Sequence, residues 1–244
     1  MYINNVYIWC YFFLGLIGMA IGQFMNWGNI RLAHHKKVFC GEFFRQYVPN
    51  QKLNLFLIFS TMALYVLTLY LFGLKIVTIK YLLLIPLLIS VFTIDFKEHI
   101  IPDRLILTLF ELGMIFSVME GFDSLNVFTD RLIGMAIGFS IFAIIIFLGN
   151  LITKKESMGY GDIKLMAALG LLFGRIEILM IVIISFLIAA IVSIVLLLIR
   201  KKKISGYIAF GPYISIASFV VMFVPTTKLM FILLKMFTFG SYSI

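Results

Sequence analysis

Charged residues are scarce in this sequence: Asp, Glu, Lys and Arg make up 13% of its 244 residues. Soluble domains are about a quarter charged and about half apolar, whereas 63% of this chain is hydrophobic. This composition excludes an ordinary water-soluble domain. Lipid is therefore expected to surround most of the chain.

Cysteine is almost absent as well, since Cys10 and Cys40 are the only two. They are far apart, and Cys10 falls inside an apolar run, so the sequence excludes both a disulfide framework and a zinc site built on paired cysteines. Lys and Arg are missing before Arg31. Because a cleaved signal peptide needs a basic segment ahead of a short apolar stretch, residues 1–30 are expected to remain as a membrane span.

What the sequence has in quantity is long apolar runs, rich in Ala, Gly, Leu, Ile and Phe. About 20 such residues cross a hydrocarbon core of roughly 30 Å as a helix. We predict an all-α, polytopic transmembrane helical bundle of about eight spans. The predicted spans are 7–30, 53–73, 79–95, 104–119, 131–151, 163–174, 177–199 and 207–224.

Two of the C-terminal segments have ambiguous lengths. The span 163–174 is short for a full crossing, so it is expected to be tilted, broken, or continuous with the next helix around Gly174. Segment 226–239 is expected to form either a ninth span or an interfacial helix. A single membrane domain, 1–244, is predicted, in which 1–52 is the N-terminal span with a basic loop and 53–244 is the helical core.

Lys and Arg are unevenly distributed among the loops. They concentrate in the loops 31–52, 96–104, 152–164 and 200–206, whereas the loop 120–130 holds three acids and no base. Because short cytoplasmic loops are enriched in Lys and Arg, this bias predicts an outside N-terminus. The net charge of +9 is spread over these loops, so it argues for membrane topology and against nucleic-acid binding.

Two carboxylates lie at the ends of predicted spans, where a charge is costly and usually marks a function. Asp95 closes the run ISVFTID, and Asp162 opens the run IKLMAALG, so the predicted topology places both at the cytoplasmic boundary. Taken singly, each is simply a boundary residue: Asp95 a terminal charge in water, and Asp162 an N-cap for a helix that starts at Ile163.

The tetrapeptide Gly159-Tyr160-Gly161-Asp162 shifts this balance towards a functional interpretation. Two glycines allow a backbone path that residues with a Cβ resist, and they let a chain approach the carboxylate closely. Two neighbouring carboxylates cannot easily both ionise, so one keeps its proton while the other acts as a base. Such a pair activates water for attack on an amide carbonyl, without a metal or a cofactor.

These residues resemble the type IV prepilin peptidases, a branch of the GxGD intramembrane aspartic proteases. The resemblance implies that Asp95 and Asp162 are the catalytic pair, with Asp103 as the competing assignment for the first acid. The similar segments are Ile94-Asp95 through Ile101-Pro102-Asp103, Met158 to Leu165, Phe210-Gly211-Pro212-Tyr213, and Gly22 to Asn26 followed by Arg31-Leu32.

The resemblance further implies an enzyme of the cell (inner) membrane that removes the basic leader of prepilins or pseudopilins on the cytoplasmic side. Gly159 and Gly161 would let the scissile segment reach the aspartates, and Glu98 and Asp103 would attract a basic leader. Lys164, which lies within the second motif, is included with these supporting residues.

Many members of the family also methylate the new N-terminus with S-adenosylmethionine and carry two pairs of cysteines in the first cytoplasmic loop. Here that loop has only Cys40. The resemblance therefore leaves a methyltransferase activity open.

A transporter or ion channel is the main alternative, in which Asp95, Glu111 and Asp162 would line a proton or cation path. The sequence lacks the matching broken spans in two halves that such a fold favours. A phosphotransferase using carboxylates to hold magnesium would want more acids or a basic phosphate clamp.

Glu111 lies deeper in its span than the other acids, and it is expected either to pair within the bundle or to face the catalytic cavity. Gly15, Gly18 and Gly22 predict a helix-packing face made of small residues.

Overall fold

The structure is a computed structural model. It describes residues 2–4, 6–34, 36, 38, 54–122, 125–153, 159–199 and 209–238. Within these ranges the chain forms nine helices and one pair of two-residue strands. It divides into two compact units, Met1–Leu105 and Ile106–Ile244. The sequence predicted one membrane domain with an N-terminal part, 1–52, and a helical core, 53–244, and this division stays a prediction.

The first unit begins with an antiparallel pair of short strands, followed by three helices. The elements are β1 (Tyr2–Ile3), β2 (Val6–Tyr7), α1 (Ile8–Ala33), α2 (Leu55–Phe72) and α3 (Ile76–Glu98). Asn54 caps α2 by accepting a hydrogen bond from the Leu57 N–H at 3.4 Å. The Tyr65 hydroxyl then ties α2 to α3 by donating to the Leu82 carbonyl at 2.8 Å.

Small residues bring α1 and α2 into close contact. A Cβ added to Gly18 would lie 2.9 Å from the Met62 Cα, and one added to Gly22 would lie 2.6 Å from the Leu57 carbonyl oxygen. The Thr61 hydroxyl donates to the Gly18 carbonyl at 2.7 Å across this contact. The predicted packing face on α1 is therefore confirmed, because the two backbones approach where side chains are missing.

The second unit contains the remaining helices, the first of which begins just before the boundary between the units. They are α4 (Asp103–Gly121), α5 (Leu125–Thr153), α6 (Tyr160–Phe173), α7 (Arg175–Ile199), α8 (Gly211–Phe223) and α9 (Thr226–Phe237). The core of this unit is α6, in which Leu165, Met166 and Leu169 are among several fully buried side chains.

Glycines on α5 and α6 allow these two helices to pack backbone to backbone. A Cβ added to Gly134 would lie 2.6 Å from the Gly170 carbonyl oxygen, and one added to Gly138 would lie 2.5 Å from the Met166 carbonyl oxygen. Because the backbones of α5 and α6 are in such close contact, packing fixes the position of α6 within the second unit.

Each of the eight predicted spans corresponds to a helix, but fewer helices meet the requirements for crossing a membrane. Within the described residues five are long and apolar enough, namely α1, α2, α3, α5 and α7, and the number rises to six if the bent pair α8 and α9 is one span. The chain is therefore a multi-pass membrane protein. The count of eight spans is approximate, because α4 carries four charged residues and α6 has only 14 residues.

The two ambiguous segments are resolved by the local geometry. Gly174, which has a φ of 102°, separates α6 from α7, so the option that span 163–174 continues into the next helix is wrong. Segment 226–239 contains the 12-residue helix α9, bent by 118° from α8. The option of a separate ninth span is wrong, because a crossing helix needs about 20 residues.

Candidate active site

Asp95 lies in the last turn of α3, and only 4% of its surface is exposed. The helix ends three residues later at Glu98. The next residue, His99, adopts the left-handed conformation with a φ of 55° and donates its backbone N–H to the Asp95 carbonyl at 3.0 Å. The chain therefore turns sharply away just beyond the buried carboxylate.

Asp103 differs from Asp95 in its environment. It is the first residue of α4, immediately after Pro102, and its side chain is exposed. An acid in the first turn is stabilised by the helix dipole and by water, which is an ordinary structural role. Of the two acids Asp95 is thus the buried one, and its assignment as the first catalytic acid stays a prediction.

Asp162 is also buried, with 5% of its surface exposed. Its helix, α6, begins at Tyr160 and has Gly159 as its N-cap, so Asp162 is the third helical residue. Its backbone N–H donates to the Gly159 carbonyl at 3.1 Å. The interpretation of Asp162 as an N-cap is therefore wrong, because the helix starts earlier than the apolar run indicates.

The two glycines of the Gly159-Tyr160-Gly161-Asp162 motif do not need glycine's conformational freedom. Gly159 has a φ of −72° and a ψ of 139°, which any residue can adopt, and Gly161 lies inside α6. The argument that the backbone path requires glycine here is wrong. Both glycines are half-buried, so a close approach of another chain to this turn stays a prediction.

The opposite end of α6 is held by polar contacts that the sequence did not predict. The Ser117 hydroxyl donates to the Leu171 carbonyl at 3.0 Å, and Arg131 donates to the Leu172 carbonyl at 2.8 Å. Arg131 also forms an ion pair with Glu120 at 2.7 Å. These contacts satisfy carbonyls at the C-terminal end of α6, and they hold the helix that carries Asp162.

Glu120 and Asp130 were interpreted from the sequence only as acids of a loop without bases. In the structure Glu120 pairs with Arg131, and Asp130 pairs with Arg175 at 2.9 Å. The signal that could have indicated these pairs is the position of an arginine directly after Asp130 and another directly after Gly174. Arg175 lies just after the end of α6, whereas Arg131 is the seventh residue of α5 and reaches the α6 carbonyl from its side.

The remaining predicted residues have varied positions. Glu98 and Lys164 are exposed at the ends of α3 and α6 that carry the aspartates. Glu111 is exposed on α4, so it is not a buried residue of the bundle. Asp95 lies in the first unit and Asp162 in the second, and their association as a catalytic pair stays a prediction. Cys40 lies outside the described residues.

The segment Phe210-Gly211-Pro212-Tyr213 starts α8 and has a structural role. The Phe210 ring lies 4.9 Å from the ring of Phe186 and 5.8 Å from that of Phe142, measured between centroids. Gly211 and Pro212 are buried. The aromatic contacts therefore attach the beginning of α8 to α5 and α7.

Two cavities lie in the described part of the first unit, and neither fits S-adenosylmethionine. One, of about 110 Å³, is below the size of typical ligand pockets. The other, of about 470 Å³, is lined mainly by apolar side chains between α1 and α3. A charged nucleoside derivative would find few polar partners in it. In the described part of the chain, no group of three or more His, Cys, Asp or Glu residues is placed to hold a metal ion.

Residues 82–194 match the model of the type IV leader peptidase family. A prepilin leader peptidase/N-methyltransferase of Aeromonas hydrophila is 37% identical over 145 residues, which are 59% of this chain and 49% of the relative. The corresponding protein of Pseudomonas aeruginosa is 36% identical over 135 residues, 55% of this chain and 46% of the relative. No solved structure matches.

The matched family segment contains Asp95, Asp162 and the supporting residues between Glu98 and Lys164, whereas Phe210-Gly211-Pro212-Tyr213 and the N-terminal motif lie outside it. The chain spans about half the length of the curated relatives it matches. The resemblance indicated by the motifs is thus confirmed, because residues 82–194 match the model of the type IV leader peptidase family.

Proposed function

We propose that this protein is a membrane-embedded aspartic endopeptidase that removes the short basic leader from type IV prepilins or pseudopilins. The observation that carries the proposal is the burial of Asp95 and Asp162, each at a helix end and both inside the family segment. Buried carboxylates are costly unless they have a function or good partners. No observation favours the transporter or ion channel.

The two aspartates take different roles in the proposed reaction. Asp162 lies in the first turn of α6, where the helix dipole favours negative charge, and Asp95 lies in the last turn of α3, where the dipole has the opposite sign. Asp162, ionised, takes a proton from water as the oxygen attacks the scissile carbonyl. Asp95, protonated, donates its proton to the carbonyl oxygen.

The proposal includes the location of the reaction. The Lys and Arg residues of the loops support an outside N-terminus, with the ends of α3 and α6 that carry the aspartates on the cytoplasmic side of the inner membrane. Glu98 and Asp103 are exposed near Asp95 in the chain, and they attract a basic leader. An N-methyltransferase activity is part of the relatives' names, and for this chain it stays a prediction.

Cleavage of a prepilin by purified full-length protein in lipid bilayers tests the proposal. Asp95→Asn and Asp162→Asn nearly conserve shape, so they remove acid–base chemistry with little change in packing. We expect each to lower kcat/KM by at least about 100-fold. Helical circular dichroism and thermal unfolding of each variant establish that it is folded.

Glu111→Gln is the matched control, since it makes the same carboxylate-to-amide change at an exposed site. It is expected to stay within about three-fold of the wild type, the range of a surface substitution. Activity that survives in either Asp95→Asn or Asp162→Asn would contradict the two-aspartate mechanism. Loss of activity in Asp103→Asn alone would move the first catalytic acid to Asp103.

A further inference from the structure

A small polar cavity lies within the first unit, beside the end of α3 that carries Asp95. Its volume is about 110 Å³, and all three helices of the unit contribute to its lining. The polar side chains among the lining residues are Asn26, Asn29, His34, Asn54, Thr93, Lys97 and Glu98. Such a concentration of amides is unusual in a chain of this composition, in which buried polar groups need hydrogen-bond partners.

Asn29 is the most deeply buried of these polar residues, with 9% of its surface exposed. Its Nδ2 donates to the Thr93 Oγ1 at 2.7 Å. The single hydroxyl hydrogen of Thr93 is directed to the Ile89 carbonyl at 2.9 Å or the Ser90 carbonyl at 3.2 Å. Thr93 therefore acts as an acceptor towards Asn29, which determines which end of the amide faces it.

The other end of this amide is left as a hydrogen-bond acceptor. The Asn29 Oδ1 is buried and accepts no hydrogen bond from the described residues. A buried acceptor without a donor costs free energy, and Asn29 lines the cavity. The cavity is therefore suited to a small ligand group that carries an N–H or O–H donor.

A second pair of amides lines the same cavity. The Asn54 Nδ2 donates to the Asn26 Oδ1 at 3.4 Å, which is a long and weak contact that a ligand can replace. Side-chain amides offer both a donor and an acceptor, as a peptide group does. A volume of about 110 Å³ admits a small residue or a few waters, each of about 30 Å³, and it is too small for a nucleotide.

The cavity is close to Asp95 along the chain. Thr93, Ile94 and Lys97 line it, so Asp95 lies at the same level of α3 but on another side of the helix. An extended chain covers about 3.3–3.6 Å per residue, and a helix with its side chains is roughly 10–12 Å wide. A peptide with its scissile bond at Asp95 would therefore reach the cavity about three residues away.

We propose that this cavity is a subsite for the substrate polypeptide, in which the Asn29 Oδ1 accepts a hydrogen bond from a backbone N–H about three residues from the scissile bond. Asn29 is then a positioning residue, and Thr93 orients it. This inference rests on the proposed endopeptidase function. It adds a contact that selects a small residue at that substrate position.

The test combines Asn29→Leu with substrates in which one backbone N–H is replaced. Asn29→Leu conserves the approximate volume of the side chain and removes the acceptor. Prepilin peptides carry an ester in place of one amide at each of the four positions on either side of the scissile bond. With the wild type, we expect one of the esters to lower kcat/KM by about ten-fold, the effect of one lost hydrogen bond.

For Asn29→Leu, we expect the same ester to cause no further loss, because its partner is already missing. Thr93→Val, which leaves the Asn29 oxygen but removes the group that orients it, is expected to give a smaller loss at the same position. It keeps the test valid if Asn29→Leu does not fold. Asn126→Leu, at an exposed asparagine of the second unit, controls for the substitution itself.

The results separate this inference from the proposed function. Cleavage by the wild type but not by Asp95→Asn would support the endopeptidase function. If the losses of kcat/KM caused by the ester and by Asn29→Leu then multiply at every substrate position, the subsite is wrong and the cavity holds water. If the wild type cleaves no leader peptide, both the endopeptidase function and the subsite are wrong.

Discussion

At the residue scale, burial distinguishes two acids that are eight positions apart in the sequence. Asp95 is 4% exposed at the end of α3, whereas Asp103 is exposed at the start of α4. The hydropathy pattern predicted that both acids lie at the ends of membrane spans. The difference arises because Asp95 lies on a buried face of α3. The local sequence does not show which face of the helix is buried.

Gly161 provides a residue-scale prediction, because its conformation is ordinary and its role is therefore separable from folding. In Gly161→Ala the backbone stays helical, and alanine raises helix stability by about 0.5–1 kcal/mol. If the scissile segment passes close to this turn, the added methyl group lowers cleavage by more than about ten-fold. Thermal unfolding and the prepilin cleavage assay, run on the same preparation, measure the two effects.

An unfolded Gly161→Ala protein would contradict the conformational part of this prediction. Full activity in a folded variant would contradict the close approach of substrate to Gly161, and the glycine would then have no demonstrated role in access.

At the scale of elements, the short helix α6 depends on contacts with its neighbours. It has 14 residues, and at about 1.5 Å per residue it is shorter than the hydrocarbon core. Its stability therefore comes from burial and from the glycine contacts with α5. The Ser117 and Arg131 donors satisfy carbonyls at its far end, so the helix can end inside the second unit.

Gly170→Ala tests the contact between α5 and α6. A Cβ at this position would meet the backbone of Gly134 and would lie 2.8 Å from the Met135 nitrogen. We expect overpacking to lower the free energy of unfolding by about 1–3 kcal/mol. Denaturant unfolding in mixed micelles, followed by circular dichroism, measures the change.

Gly28→Ala is the matched control, since among the described residues a Cβ there would meet only the Val38 side chain, at 3.8 Å. The free energy of unfolding of this variant is expected to change by less than about 1 kcal/mol. Equal destabilisation by both substitutions would mean that loss of glycine itself, and not the contact with α5, determines the effect.

At the scale of the whole molecule, the distribution of Lys and Arg predicts how the chain is inserted. In a variant without Cys10 and Cys40, single cysteines at positions 100 and 122 report on the two ends of α4, one before the helix and one after it. Both positions are exposed, Ile100 at 41% and Phe122 at 88%. We expect a membrane-impermeant maleimide to label Phe122→Cys in right-side-out vesicles and Ile100→Cys in inside-out vesicles.

The reverse labelling pattern would place the N-terminus inside and move the aspartates away from cytoplasmic substrates. Labelling of both positions from one side would mean that α4 does not cross the membrane, which agrees with its exclusion from the five apolar helices. Cleavage activity of each cysteine variant is measured in parallel, so that only folded protein is interpreted.

The sequence by itself determined the lipid environment, the helical class, and the two aspartate motifs, because hydropathy, helix-forming runs and short motifs are local properties of the chain. Only the tertiary structure decided that Asp95 is buried while Asp103 is exposed, that α6 begins at Tyr160, and that the Asn29 Oδ1 is buried without a donor among the described residues. These features depend on packing between elements that are distant in sequence. Burial, helix capping and hydrogen-bond partners follow from that packing, and no local sequence pattern predicts them.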